Sequence, residues 1–270
     1  MKRIVLSLAL VLLIGLSACS AQTEQPTTTD TPAPTPTSTI TPTPTPELTP
    51  EPTLTPLPAA APVWSEQTFA GTYQAEDGTV VLDVTYRLPF VTNTHACPAG
   101  EAINQWYKAE SASRQAEAEA EYEMALSDYA ISVELDMPFQ AAVHDMSYEI
   151  TRQDDAVISV ARTLYVNYGG AHPYVARLSE QFDAVTGAKM GFAQFFTDAD
   201  AVCDIAIDAL TAEHGLDRAT IAAAFQPESF YFTEEACVFW IQGGQIPGAG
   251  ASPLEAAVPY TALTDWMRHG

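Results

Sequence analysis

The sequence predicts an α+β fold, with antiparallel β-sheet hairpins packed against one long and several shorter helices. Three observations predict it. Residues 80–90 alternate apolar and polar side chains with period two, the signature of a half-buried strand. Residues 100–129 are rich in Ala and Glu, strong helix formers and poor strand formers. Turn-forming groups such as Asp77-Gly78 and Thr186-Gly187 punctuate the apolar runs.

Two segments precede the folded part. In residues 1–18, Lys2 and Arg3 lead an apolar stretch, Ile4 to Leu16, broken only by Ser7 and Gly15. It falls short of the roughly 20 residues a spanning helix needs and fits a signal peptide. It ends in Leu16-Ser17-Ala18-Cys19, which resembles a bacterial lipobox. The resemblance implies lipidation of Cys19 and cleavage before it; the alternative is an ordinary secretory signal with a chance cysteine. Acyl chains contribute about 0.8 kcal/mol per buried methylene, so two or more hold a protein at a membrane. The expected location is the extracellular face of the bacterial cytoplasmic membrane. Residues 19–62 read as a lipid-anchored stalk of Thr and Pro, a composition that buries no core and favours extended polyproline II. At about 3.1 Å per residue its reach is roughly 130 Å at most.

Within the folded part, Phe69–Tyr73 leads through Asp77-Gly78 into the strand at 80–90, where Pro89 is expected at an edge or a strand end. A helix follows over 100–129. Ile103, Trp106 and Tyr107 start its apolar stripe and Tyr122, Leu126 and Tyr129 resume it; the run Ala116–Glu121 between them leaves an acidic, solvated face. Tyr148 and Ile150 lead to a turn at 153–156. Ile158, Val160, Leu164, Val166 and Tyr168 then alternate with Ser159, Ala161, Thr163, Tyr165 and Asn167. A strand at 174–182 reaches a bulged turn at Gly187. Thr197 or Asp198 caps a helix to His214, with Asp200, Asp204 and Asp208 on one wet face that lacks the Gly and Glu of a calcium loop. A short helix over 216–225, a hairpin from 230–232 to 238–241, a strand ending at Pro259-Tyr260 and a helix capped by Thr261 complete the chain.

Charge excludes one class of partner. The 270 residues carry 34 acidic and 11 basic side chains, a net −23, so nucleic acid, whose phosphates need clustered Lys and Arg, is not expected. Residues 63–270 hold 30 of the acids and nine of the bases. That balance gives a solvated surface or a face for a cationic partner. No dinucleotide fingerprint, P-loop or G-x-S-x-G elbow occurs, and the histidines lack metal spacing. No cofactor or metal is expected. Besides Cys19, Cys97, Cys203 and Cys237 allow at most one internal disulfide.

The run Leu164-Tyr165-Val166-Asn167-Tyr168-Gly169-Gly170-Ala171-His172-Pro173 is distinctive, as are Phe182-Asp183, Thr186-Gly187-Ala188-Lys189 and Phe195-Phe196. With Asn104 and the ending over 230–260, these residues resemble the extracellular module shared by RsiV-type anti-sigma factors and PdaC-type peptidoglycan deacetylases. The resemblance covers nearly all of the folded part. It implies an α+β fold in two halves, 63–160 and 161–270, and binding of lysozyme outside the cell, as in the RsiV relatives. An anti-sigma factor needs a cytoplasmic segment before a spanning helix, and a deacetylase needs a further metal-binding domain. Neither is expected here, which leaves the module alone on its anchor.

The binding residues expected from this run are Tyr168, Gly169, Gly170 and His172. The glycines permit close approach of a ligand to the backbone; the simpler reading of His172 is a hydrogen-bonded packing residue. The expected function is therefore non-catalytic binding or sensing, with a basic protein such as a lysozyme-like muramidase as partner. Peptidoglycan or another glycan, stacked on exposed Trp64, Trp106 or Trp240, is the alternative. An enzyme on cell-wall polymers centred on His172 is the third.

Overall fold

A computed structural model describes residues 60–268. The signal peptide, the lipidation residue Cys19 and the stalk up to residue 59 lie outside the described residues. Six strands form one sheet in sequence order: β1 (Trp64–Gln74), β2 (Val80–Val91), β3 (Ala142–Gln153), β4 (Val157–Asn167), β5 (Tyr174–Asp183) and β6 (Lys189–Met190). Every neighbouring pair is antiparallel except β2 and β3. A parallel neighbour requires a crossover, which is supplied by α1 (Pro98–Glu134). Pro89 pairs with Glu66 on the β1 side, beyond the reach of β3, so its missing N–H breaks no ladder.

Helix α1 begins with Pro in its first turn and runs past both expected ends. Its buried positions include Ser111, Ala118, Ala125 and Ser132, seven residues apart. Small side chains at this spacing let the helix lie close to the sheet; of the alternating alanines only Ala118 takes part, while Ala116 and Ala120 are exposed. Ala118 faces in while Glu117 and Glu119 face out. The tyrosines of the second stripe pin the helix to the β1–β2 hairpin. Tyr122 donates to the Gln74 carbonyl at 2.7 Å and Tyr129 to Asp77 at 2.5 Å.

A second layer follows β6. Helices α2 (Phe192–Phe195), α3 (Ala199–His214) and α4 (Arg218–Ala224) precede a three-stranded antiparallel sheet, β7 (Phe230–Phe232), β8 (Ala236–Ile241) and β9 (Leu254–Pro259); α5 (Tyr260–Leu263) ends the fold. Asp198 caps α3 by accepting from the Ala201 amide, and Gly215 ends it in the left-handed conformation. Thr197 instead donates to the Trp266 carbonyl. Thr261 does not cap α5: Pro259 holds the cap position, and Thr261 lies within the turn. Arg218 bridges Asp204 and Asp208 at 2.6 Å each, exposed pairs of little weight.

The two layers meet on β4, which continues across the 160/161 division. Val157 to Arg162 are all buried, because α1 covers one face of β4 and β7 the other. Ser159, which alternates with the apolar set, is fully buried too and accepts from the Phe232 amide at 2.9 Å. Ser179 and Gln181 donate to the Phe230 carbonyl. Edge strand β7 thus has its polar backbone satisfied by side chains of the large sheet.

On the α1 face, Arg162 is 1% exposed and Glu180 2%. Two parallel bonds of 2.5 and 3.1 Å join them. Glu110 accepts from the same guanidinium at 2.9 Å, and the Tyr107 hydroxyl donates to Glu180 at 3.1 Å. Breaking a buried pair by removing one partner is costly because the other charge stays buried. Glu180→Ala is therefore expected to lower the unfolding free energy by about 3–5 kcal/mol, read by urea denaturation. The double variant Arg162→Met/Glu180→Leu should recover most of that loss. A double variant as unstable as Glu180→Ala would show that the stranded charge is not the cause.

Candidate binding cleft

Strand β4 ends at Asn167, and the next residues turn sharply. The Asn167 side chain accepts from the Gly170 amide at 3.0 Å. Gly169 has φ +79°, and a Cβ there would collide with the carbonyl oxygen of Gln140. Glycine is needed at this position so that the β4–β5 connection can rest on the segment joining α1 to β3. Tyr168 is thereby held over a cleft of about 330 Å³.

Val81, Leu82, Ala125 and Ala142 form an apolar floor, and Met124 and Phe139 add apolar walls. Glu121 and Asp128 supply charge, and no Lys or Arg lines the cleft. Beneath Glu121 lies His144 of β3, 4% exposed. Its Nδ1 is 3.3 Å from the Tyr86 hydroxyl, and the Tyr168 ring meets its ring edge-on at 5.8 Å. Its Nε2 is 2.7 Å from Glu121 Oε2, yet neither atom makes an aligned hydrogen bond. Burial holds the His144 imidazole below its ordinary value of 6.5. Burial, then the charge of Glu117, raises the Glu121 carboxyl above 4.5. Burial, then Glu121, raises the Tyr168 hydroxyl. All three environments disfavour added charge, so a cation entering the cleft would relieve Glu121.

Among the described residues, no group of three or more His, Cys, Asp or Glu is placed to hold a metal ion. Cys97 and Cys237 are buried thiols and Cys203 a half-buried one; burial pushes Cys237 well above its ordinary range.

Of the four expected binding residues, only Tyr168 lines the cleft. Gly169 serves backbone packing. Gly170 and His172 are exposed and stand outside it. The expectation that His172 is a hydrogen-bonded packing residue is corrected: its side chain is exposed and has no hydrogen-bond partner among the described residues, because the loop beyond Gly170 leaves the sheet. Other motif residues are also structural. Asn104 bonds both backbone groups of Val91 at 2.8 Å, acting as a surrogate strand at the end of β2. Asp183 accepts from the amides of Val185 and Thr186, and a Cβ on Gly187 would strike the carbonyl of Ala99 at the start of α1.

Sequence reasoning missed Glu121, Asp128 and His144. Glu121 was read with the acidic helix face, and Asp128 drew no reading at all. The available signal for His144 was its place in the alternating run Ala142-Val143-His144-Asp145-Met146, where it falls on the buried side. Also missed were exposed apolar side chains along the second half of α1 and just beyond it. Met124, Ile131, Val133, Leu135 and Met137 are each at least half exposed.

With a mixed six-stranded sheet, one long crossover helix and a smaller three-stranded sheet, the chain superposes on two solved structures. The fold is one seen in DUF3298-family proteins. A member from Bacteroides fragilis aligns with TM-score 0.58 and 12% identity over 78% of this chain and 95% of that one. A DUF3298-family protein from Pseudomonas aeruginosa PAO1 aligns with TM-score 0.51 and 14% identity over 78% of this chain and 96% of its own. No family model matches the sequence. No curated relative matches it either.

The cleft pair makes stability depend on pH in opposite senses. As pH falls below 6.5, His144 takes up a proton more readily in the unfolded chain, so the folded state loses stability until its own lowered value is passed. Glu121 acts oppositely, losing stability as pH rises from 4.5 through its raised folded value. Between pH 7 and about pH 5, the Tm of His144→Gln should therefore fall less than that of the parent, and the Tm of Glu121→Gln should fall more. Parallel Tm–pH curves for all three proteins would contradict this assignment.

Proposed function

We propose that this chain is a non-catalytic binding or sensing lipoprotein of the bacterial envelope, tethered through Cys19, whose module docks a basic protein such as a lysozyme-like muramidase. The observation that carries the reading is the cleft beside Tyr168. Its floor is apolar, its charged groups are acidic, and exposed Met124 at its wall shares one face of α1 with exposed Ile131. Apolar area rimmed by charge of one sign is the anatomy of a protein-docking surface rather than of a solvated face. The resemblance to the RsiV and PdaC module points the same way, and the DUF3298 fold is compatible with it.

The acidic surplus of the folded part would steer a cationic partner toward the cleft. Stacking of a glycan finds less support. Trp240 is 7% exposed, and the Trp106 ring has Lys189 and Arg162 over it.

The test is calorimetric titration of the full chain with catalytically inactive lysozyme at low salt and at about 0.15 M, where exposed charges are screened beyond roughly 8 Å. Saturable one-to-one binding should survive the higher salt. Asp128→Lys, which places a cation on the rim, should weaken it by about tenfold or more. Binding that vanishes at the higher salt, or ignores Asp128→Lys, would overturn docking at this cleft.

A further inference from the structure

Among the described residues, the sheet edges are closed everywhere but at β1. β6 has two residues. β7 has three, and Ser159, Ser179 and Gln181 bond its backbone. At β9, which ends in Pro259, the Glu255 carbonyl meets His214 Nε2 of α3 at 3.0 Å. Short edges, prolines and covering groups are how sheets avoid pairing with other chains. β1 lacks all three. It runs for 11 residues at the rim of the six-stranded sheet, with no Lys, Arg or Pro and with Glu66 as its one charge. Its register shifts only at the far end, between Tyr73 and Gln74.

The register shows which backbone groups are free. The Thr92 amide donates to the Val63 carbonyl. Bonded residues alternate along an antiparallel pair, so the odd-numbered residues of β1 bond to β2. Trp64, Glu66, Thr68, Ala70 and Thr72 turn their N–H and C=O groups to the open edge, where those groups have no partner among the described residues. Pro89 stands opposite Glu66 and fits this register, because it has no N–H to give.

The same alternation sorts the side chains. Phe69 and Tyr73 lie half-buried on the α1 side, with ring centroids 6.0 Å from Tyr86 and 5.3 Å from Tyr122. Glu66, Thr68, Ala70 and Thr72 are exposed on the opposite face. Acid borders the edge on both faces. Exposed Asp83 of β2 accepts from the Thr72 hydroxyl at 3.0 Å. On the α1 side, burial and then the charge of Glu119 raise the Tyr73 hydroxyl. The one cation of β2, Arg87, is held by Asp145. Lys108 and Glu101, one of each sign, line the pocket beside Gln67.

We infer that the open edge of β1 takes an extended basic segment of a partner as an added antiparallel strand, its Lys or Arg side chains facing Glu66 and Asp83 and its apolar side chains covering Phe69 and Tyr73. In strand addition the main-chain bonds supply affinity and the alternating side chains supply selectivity. Opposite charges across such a pair attract. A second copy of this chain fits less well, since two modules that each carry 21 surplus negative charges repel. The edge shares no residue with the cleft beside Tyr168, so the inference does not depend on docking there.

The test uses the full chain and a blocked peptide of alternating Lys and Val, matched to β1 in length. Directly opposite residues of an antiparallel pair share a face. The Lys residues therefore lie opposite Glu66, Thr68, Ala70 and Thr72, and their N–H groups bond to β1. Calorimetry should show saturable binding, and the amides of those four residues should become protected from hydrogen exchange. N-methylation of the Lys residues should weaken binding by about tenfold or more, whereas N-methylation of the Val residues should leave it near that of the unmethylated peptide. Ala70→Pro removes one outward N–H and breaks no bond between β1 and β2. It should weaken binding severalfold with the fold intact by circular dichroism. Equal binding of the two methylated peptides would reduce the contact to charge attraction and overturn the inference. So would no saturable binding, equal binding of a Thr-Val peptide of the same length, or a dimer in sedimentation that Ala70→Pro dissolves, which would give the edge to a second copy.

Discussion

The buried guanidinium of Arg162 is the constraint around which the molecule is arranged. It sits on β4, pairs with Glu180 on β5 and reaches Glu110 on α1. A charge taken out of water must be matched at close range, and three elements must hold a fixed mutual position for that match to persist. Glu110 in turn receives Arg114, and Tyr107 closes the network on Glu180. The axial position of α1 along the sheet is thus set by directional bonds. Apolar packing alone would allow a slide: the small residues at 111, 118, 125 and 132 repeat every seven positions and offer several similar seats.

Both surface features depend on that fixed position. Toward its C-terminal end, α1 presents Glu121, Met124 and Asp128 to the cleft beneath Tyr168. Toward its N-terminal end it presents Trp106, Glu110 and Arg114 to a groove that contains Lys189. A shift of one helical turn, about 5.4 Å, would separate Glu121 from His144 and remove Trp106 from Lys189. Two glycines guard the same alignment. Gly169 packs on Gln140 just beyond the end of α1, and Gly187 packs on Ala99 at its start.

The fold was largely legible because its local signals agree with one another. Period-two runs gave β2 and β4, Asp77-Gly78 gave the first turn, and Asp198 and Gly215 mark the ends of α3. The burial of Ser159 was not legible because a strand covered on both faces keeps some polar residues to satisfy an abutting edge, and alternation alone cannot reveal the second layer. The candidate site was legible only at Tyr168. The distinctive run from Leu164 to Pro173 reflects packing demands at Asn167 and Gly169, and a residue set by packing looks the same in sequence as one set by a ligand. Glu121 and His144 are 23 positions apart and meet only once the crossover helix has folded back onto β3. Local spacing carries no trace of such a pair.

Salt separates the two surface features physically. The folded part carries a surplus of 21 negative charges, a field that favours cations near the acidic cleft and opposes anions near the arginine-lined groove. Screening weakens both long-range effects beyond about 8 Å at physiological ionic strength, but in opposite directions. The acidic cleft loses part of its steering as salt rises. The groove, lined by Arg114, Arg162, Arg177 and Lys189, loses part of that opposition. Because Glu121–Asp128 and Trp106–Arg114 belong to one helix, the acidic cleft and the arginine-lined groove keep a fixed separation, and salt acts on each without altering the other's geometry.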